Sequence, residues 1–123
     1  MNVAEKIVQA FVARKYCQES GDEEWATKWT ETLENIEKNY LTRGSGFDSG
    51  TKIVDATDTE ISLYTEFHHM DEDGFYTHWT RHRVIVRPTF SDLDVQVQGQ
   101  APEHTLEYMG EMMLHALTLP YEE

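Results

Sequence analysis

The sequence predicts a mixed α+β domain: an N-terminal αα-hairpin, a four-stranded antiparallel meander and a C-terminal helix, with the helices on one face of the sheet. Three observations carry that expectation. Apolar residues recur at helical spacing before residue 43 and again after residue 102. Between residues 51 and 99 they alternate instead. Turn dipeptides, Asp73-Gly74 above all, divide the alternating part. With 123 residues and no repeat or boundary, one domain spanning 1–123 is expected.

The first helix, about 3–20, opens at Asn2, with Glu5 three residues on as in a capping box. Val3, Ile7 and Phe11 share a face, and Ser20-Gly21 ends it. Asp22, Glu23 and Glu24 place negative charge at the start of the next helix, about 23–42, where the helix dipole favours it. Trp25, Trp29, Leu33, Ile36 and Tyr40 form its apolar stripe and are expected in the core, with Lys38 and Arg43 near the end and Gly44 as the stop. Gly44 to Lys52 is rich in glycine but is no phosphate-binding loop, because a helix precedes it, strands follow, and it ends Gly50-Thr51-Lys52.

The sheet is expected over about 51–99, its first strand at Thr51 to Ala56 turning at Thr57-Asp58. A two-residue type I′ turn at Asp73-Gly74 sets Ile61 against Val86, Leu63 against Val84, Thr65 against His82, Phe67 against Thr80 and His69 against His78 on one face. The other face pairs Tyr64 with Arg83, Glu66 with Arg81 and His68 with Trp79. Apolar meets apolar and acid meets base, as a correct register requires. A turn at Ser91-Asp92 would set Val86 against Val97, Pro88 against Val95 and Phe90 against Leu93, with an irregular strand end at Pro88. A last helix, about 102–118, takes Pro102 into its first turn and buries Leu106, Met109, Met113 and Leu117.

The formal net charge is −13. Residues 1–52 carry seven Lys/Arg against nine Asp/Glu, whereas residues 53–123 carry three Arg, no Lys and 14 Asp/Glu. Such a surface repels phosphate backbones and anionic lipid, which argues against direct nucleic-acid binding. No apolar run reaches membrane-spanning length, and Met1 to Glu5 lacks a signal-peptide pattern. The lone Cys17 excludes an internal disulfide, so a reducing cytoplasm is expected.

Two candidate sites follow from the register. On the inner face His69 and His78 sit across strands near the hairpin end, close enough to share a metal or to move protons. His82 lies roughly 13 Å from His78 along the strand and cannot join the same shell without a bulge. A third ligand would have to come from Asp71, Asp48 or His104. A catalytic set of His69, His78, His82 and Asp48 is the corresponding enzyme reading, a small His-based or metal-dependent hydrolase. No nucleophile motif supports it, and no cofactor is indicated. The outer face offers Tyr64, His68, Trp79, Arg81, Arg83 and Arg87, residue types that dominate protein interfaces. It is the expected surface for a protein partner or for a second copy in a homodimer.

Three strings, Gly44-Ser45-Gly46-Phe47-Asp48-Ser49-Gly50-Thr51, Phe67-His68-His69-Met70-Asp71-Glu72-Asp73-Gly74, and Trp79-Thr80-Arg81-His82 running into Val84-Ile85-Val86-Arg87-Pro88, resemble a family of small uncharacterised proteins of bacteria and their phages and plasmids. The resemblance spans roughly residues 20–117 and implies a mobile-element setting, without an activity or a site residue. The outline is also similar to that of the double-stranded RNA-binding domain, but the basic residues such a domain needs are absent. The sequence thus favours a non-enzymatic acidic interaction protein of phage-accessory type, one version being an inhibitor of a host nucleic-acid-handling system.

Overall fold

The computed structural model describes residues 1–41 and 50–122, so the expectations placed on Arg43, Gly44 and Asp48 lie outside the described residues. Helix α1 spans Val3–Ser20 and α2 Glu23–Asn39. Strands β1 Lys52–Ala56, β2 Ile61–Met70, β3 Tyr76–Pro88 and β4 Leu93–Val97 form one antiparallel sheet in the order β1-β2-β3-β4. Helix α3, Glu103–Thr118, completes the α+β fold.

The helix ends follow local chemistry. The Glu5 backbone N–H donates to Asn2 Oδ1 at 2.8 Å and the Asn2 N–H donates to Glu5 Oε1 at 2.9 Å, a complete capping box. Gly21, at φ 78°, terminates α1 in the left-handed conformation that side chains disfavour. Asp22 Oδ1 accepts from Trp25 N at 3.2 Å and starts α2. That helix closes at Asn39 rather than near residue 42. The Ile36 carbonyl takes the N–H of both Tyr40 and Leu41, at 3.0 and 3.2 Å, and Leu41 turns into the core. Trp25 departs from the expected core stripe. It is 50% exposed, with Lys28 Nζ 4.4 Å from its ring centroid, because it sits in the first turn of α2, ahead of the buried positions Ala26, Leu33 and Ile36. Trp29 lies half-buried against the core. Pro102 is the N-cap of α3, outside its first turn.

The β2–β3 register is the expected one from Ile61↔Val86 to His69↔His78, but a different turn produces it. Only Gly74 has positive φ, so a type I′ turn, which needs two such residues, does not form. Gly74 N–H donates to Asp71 O at 3.0 Å and Asp71 N–H to Phe75 O at 2.9 Å, which makes a longer loop. The extra residue is absorbed by a bulge past His69, where Met70 pairs with Tyr76 and Thr77 is left over. Thr77 Oγ1 donates to the His69 carbonyl at 3.1 Å, filling the gap in the ladder. The β3–β4 register differs by two residues from expectation: Val84↔Val97, Val86↔Val95 and Pro88↔Leu93. The cause is the turn. Thr89 N–H donates to Asp92 O at 2.8 Å while Thr89 Oγ1 accepts from Asp92 N at 3.1 Å, so Phe90 and Ser91 form the tip. A two-residue slip preserves which face each side chain takes, but it puts Phe90 in solvent.

Leu63, Val84 and Val86 on the inner face form one core with Val3, Ile7, Ile36, Met109, Met113 and Leu117 from the three helices. Gly110 lies in the middle of α3, where a Cβ would meet Val95 O and Val97 Cγ2 at 3.8 Å, ordinary contact. Packing therefore does not demand glycine. Gly110→Ala is expected to raise stability by about 0.5–1 kcal/mol in urea unfolding, since mid-helix glycine costs about that much relative to alanine. An unchanged or lower midpoint would show that α3 uses the missing Cβ for packing after all.

One feature of the sheet positions the candidate sites. β1 reaches β2 only as far as Tyr64, and β4 reaches β3 only as far as Val84. Beyond those points, apart from the Gln98 N–H bond to Arg83 O at 2.8 Å, β2 and β3 pair only with each other among the described residues and continue as a two-stranded arm.

Candidate functional site

The inner face of the arm is a hydrogen-bonded histidine chain. His69 Nε2 lies 2.8 Å from Thr80 Oγ1, Thr80 Oγ1 lies 2.5 Å from His82 Nε2, and His82 Nδ1 lies 2.8 Å from the Gln98 carbonyl. The alternation of strand side chains puts Thr80 and His82 on one face two residues apart, and the register sets His69 beside them. Proton positions follow by elimination. A carbonyl only accepts, so His82 Nδ1 carries the proton, and in the neutral ring Nε2 must accept. Thr80 therefore donates to His82 and accepts from the Nε2–H of His69. Protonation of His82 would make both its nitrogens donors and reverse the direction of the chain.

His82 is 1% exposed and is held from below by Gly99. Gly99 has φ 119°, and a Cβ there would stand 2.5 Å from His82 Nδ1 and 2.8 Å from Arg81 O. Sequence reasoning missed Gly99 and the bridging role of Thr80. The glycine directly after β4 was the available signal; the bridge depends on side-chain rotamers that spacing does not fix. Deeper in the same face, Thr51 and Thr65 share a hydroxyl–hydroxyl bond of 2.8 Å.

His69 and His78 stack, with ring centroids 4.4 Å apart and planes 4° from parallel. Their lone pairs lie in the ring planes and do not converge on one point in this arrangement. Among the described residues no three His, Cys, Asp or Glu side chains gather as metal ligands. Asp71 is occupied by its own turn, its Oδ1 accepting from Asp73 N at 3.0 Å and Phe75 N at 2.9 Å. His104 is exposed at the start of α3.

Burial pushes the His69 pKa below the ordinary 6.5, and the neighbouring His78 and His82 push it further the same way. The unfolded chain thus binds a proton at His69 more readily than the folded chain. The folded state is at its full stability above about pH 6.5, and stability falls as pH drops through that value towards the depressed folded pKa. His69→Gln is expected to flatten the decline in urea midpoint between about pH 7 and pH 5. An identical slope in wild type and variant would contradict this assignment.

The outer face carries all six expected contact residues. Trp79 is 44% exposed, with the Arg81 guanidinium 4.8 Å from its ring centroid. His68 meets Tyr76 edge-on at 5.5 Å, and Tyr64 stands opposite Arg83. Arg81 pairs loosely with Glu66 at 3.6 Å, and Arg87 pairs with Glu60 at 2.8 Å. Exposed pairs of this kind contribute little to stability. Arg83 has no ion pair among the described residues. On this face Ile85 is only 9% exposed and Ser62 is buried, its hydroxyl without a hydrogen-bond partner among the described residues. The exposed Met70, Phe75 and Tyr76 extend the apolar surface to the end of the arm.

Among the described residues no helix is long and apolar enough to cross a membrane. Comparison with models of known families, with curated proteins and with solved structures found no match, so the function rests on the geometry of the two faces.

Proposed function

We propose that this chain is an acidic, non-enzymatic interaction protein that binds a protein partner through the outer face of the β2–β3 hairpin, with Tyr64, His68, Trp79, Arg81, Arg83 and Arg87 in the contact. The observation that carries this reading is Trp79, half-exposed on a paired β-ribbon beneath an arginine, where an uncovered sheet face ordinarily reads polar. Trp and Tyr, with two side-chain torsions each, lose little entropy when covered, and Arg81 already lies over the Trp79 ring, which makes these residues effective anchors. The partner surface that fits is apolar with carboxylates at its rim, opposite Arg81 and Arg83. A cytoplasmic setting fits the single free Cys17, and a phage or mobile-element role, including inhibition of a host nucleic-acid-handling system, fits the acidic balance.

A photo-crosslinking residue at Tyr64 or Arg83 tests the surface in extracts of the source cell. A discrete adduct from these positions, absent from Glu34 on the exposed side of α2, is expected. Adducts of equal yield from all three positions would contradict a localised contact. An adduct with a second copy would identify the partner as the chain itself.

A second reading is favoured by the His69–Thr80–His82 chain, which has the form of a proton relay and would suit a His-based hydrolase. Both ring nitrogens of His82 are already engaged within the fold, so the chain works as it stands as a structural strut. Metal analysis, together with a His69→Ala/His78→Ala variant that keeps partner binding, separates the readings.

A further inference from the structure

Strand β4 ends the sheet, and its hydrogen-bonding pattern leaves one edge unused. Gln98 N–H donates to Arg83 O and Thr89 N–H to Asp92 O, so Gln98 and Asp92 point their backbone groups at β3. In an antiparallel pair such positions alternate. Val95 and Val97 therefore direct N–H and C=O away from β3, towards a groove of about 600 Å³ between β4 and α3. Its apolar floor is Leu106, Gly110 and Leu114, one stripe of α3 at four-residue spacing.

The lip of the groove is a second stripe, Glu103, Glu107 and Glu111, also at four-residue spacing. None of the three has a cation partner among the described residues. Like charges at that spacing weaken a helix, and the mid-helix glycine weakens it further. Glu103 sits in the first turn, where the helix dipole favours it, but among the described residues no cation offsets Glu107 or Glu111, and alanine at Gly110 would meet only ordinary contacts. Both features suit an occupant. At Gly110 the helix approaches the Val95 carbonyl closely enough that an added Cβ would stand 3.8 Å from it, which keeps this part of the groove free of side chain, and the glutamates ask for cations.

We propose that the β4–α3 groove is a strand-addition site for an extended basic segment of a protein partner. The added strand would hydrogen-bond to the free edge at Val95 and Val97. Its Lys or Arg residues, at alternate positions, would lay their aliphatic stems over Leu106 and Leu114 and carry their charges to the glutamates. A second copy of this chain fits poorly, because pairing two β4 edges about a two-fold axis would bring two glutamate rows together. This surface is separate from the outer face of the arm and does not depend on it.

The test is fluorescence anisotropy with a labelled eight-residue peptide in which Lys alternates with Val. Three comparisons go with it: the same peptide with Glu in place of Lys, one N-methylated at alternate backbone positions, and binding across a range of salt. Binding of the Lys peptide at least about 10-fold tighter than either analogue, weakening with salt, is expected. Gly110→Leu, and separately Glu107→Lys/Glu111→Lys, should each weaken it about 10-fold or more. Val95→Pro removes the outward N–H without touching the ladder to β3, and should do the same if Gly110→Leu fails to fold. Trp79→Ala should leave this binding unchanged. Equal binding of the Glu or N-methylated peptide, no binding at millimolar peptide, or self-association lost in Val95→Pro would overturn the proposal.

Discussion

Gly99→Ala is expected to lower the unfolding free energy by about 3–5 kcal/mol. Two costs combine. At φ 119° a residue with a Cβ is strained, by about 1–3 kcal/mol. The Cβ would also stand 2.5 Å from His82 Nδ1 and 2.8 Å from the Arg81 carbonyl, contacts that atoms do not sustain. The imidazole has no free direction of retreat, because its two nitrogens are held by the Gln98 carbonyl and by Thr80. Moving it leaves buried polar groups without partners, at about 1–3 kcal/mol each. Gly21→Ala is the control: its φ of 78° imposes the strain, but nothing lies within 4 Å of the added Cβ. It is expected to cost about 1 kcal/mol. Urea unfolding of the two variants reads the difference. Equal losses would mean that the contact with His82 is relieved without cost.

Thr80→Val is expected to cost about 2–4 kcal/mol, although it preserves shape and adds apolar surface. The hydroxyl is the one group that joins His69 to His82, donating to one ring and accepting from the other. Valine leaves two imidazole nitrogens facing a methyl group, and His82 is too deep for water to replace the bond. Thr80→Ser keeps the hydroxyl and should lose less than half as much. Nitrogen chemical shifts of the two rings provide a second readout. In the wild type His82 carries its proton on Nδ1 and His69 on Nε2; in Thr80→Val the His82 assignment should persist while that of His69 averages. A wild-type His82 protonated on Nε2 alone would refute the direction assigned to the chain.

Much of this fold was legible in the sequence, for identifiable reasons. The capping box at Asn2 and Glu5 is a local signal and formed as read. The β2–β3 register was legible because alternating faces leave only one pairing in which Leu63 meets Val84 and Glu66 meets Arg81. The turn differs from the type I′ form that Asp73-Gly74 suggests, and the bulge at Thr77 restores the register. The β3–β4 register slipped by two because hydrogen bonding between Thr89 and Asp92 outweighed the pattern match at Ser91-Asp92. Parity survived that slip, so the division of side chains between faces held. Trp25 shows the limit of periodicity, which reports the direction of a side chain but not whether anything stands opposite it. The histidine chain was half visible: the register placed His69, Thr80 and His82 on one face. Their linkage needed the rotamers and the space left by Gly99, neither of which is written in residue spacing.

The interaction reading makes Trp79 central, half-exposed with the Arg81 guanidinium over its ring. Calorimetric titration of the crosslinked partner with the wild-type chain and with Trp79→Ala tests it most directly. A loss of at least about 2 kcal/mol in binding free energy, roughly 30-fold in affinity, with an unchanged urea midpoint is the expected result. Unchanged affinity in Trp79→Ala, with the protein fully folded, would place the partner elsewhere on the molecule and leave the exposed tryptophan without a role in recognition.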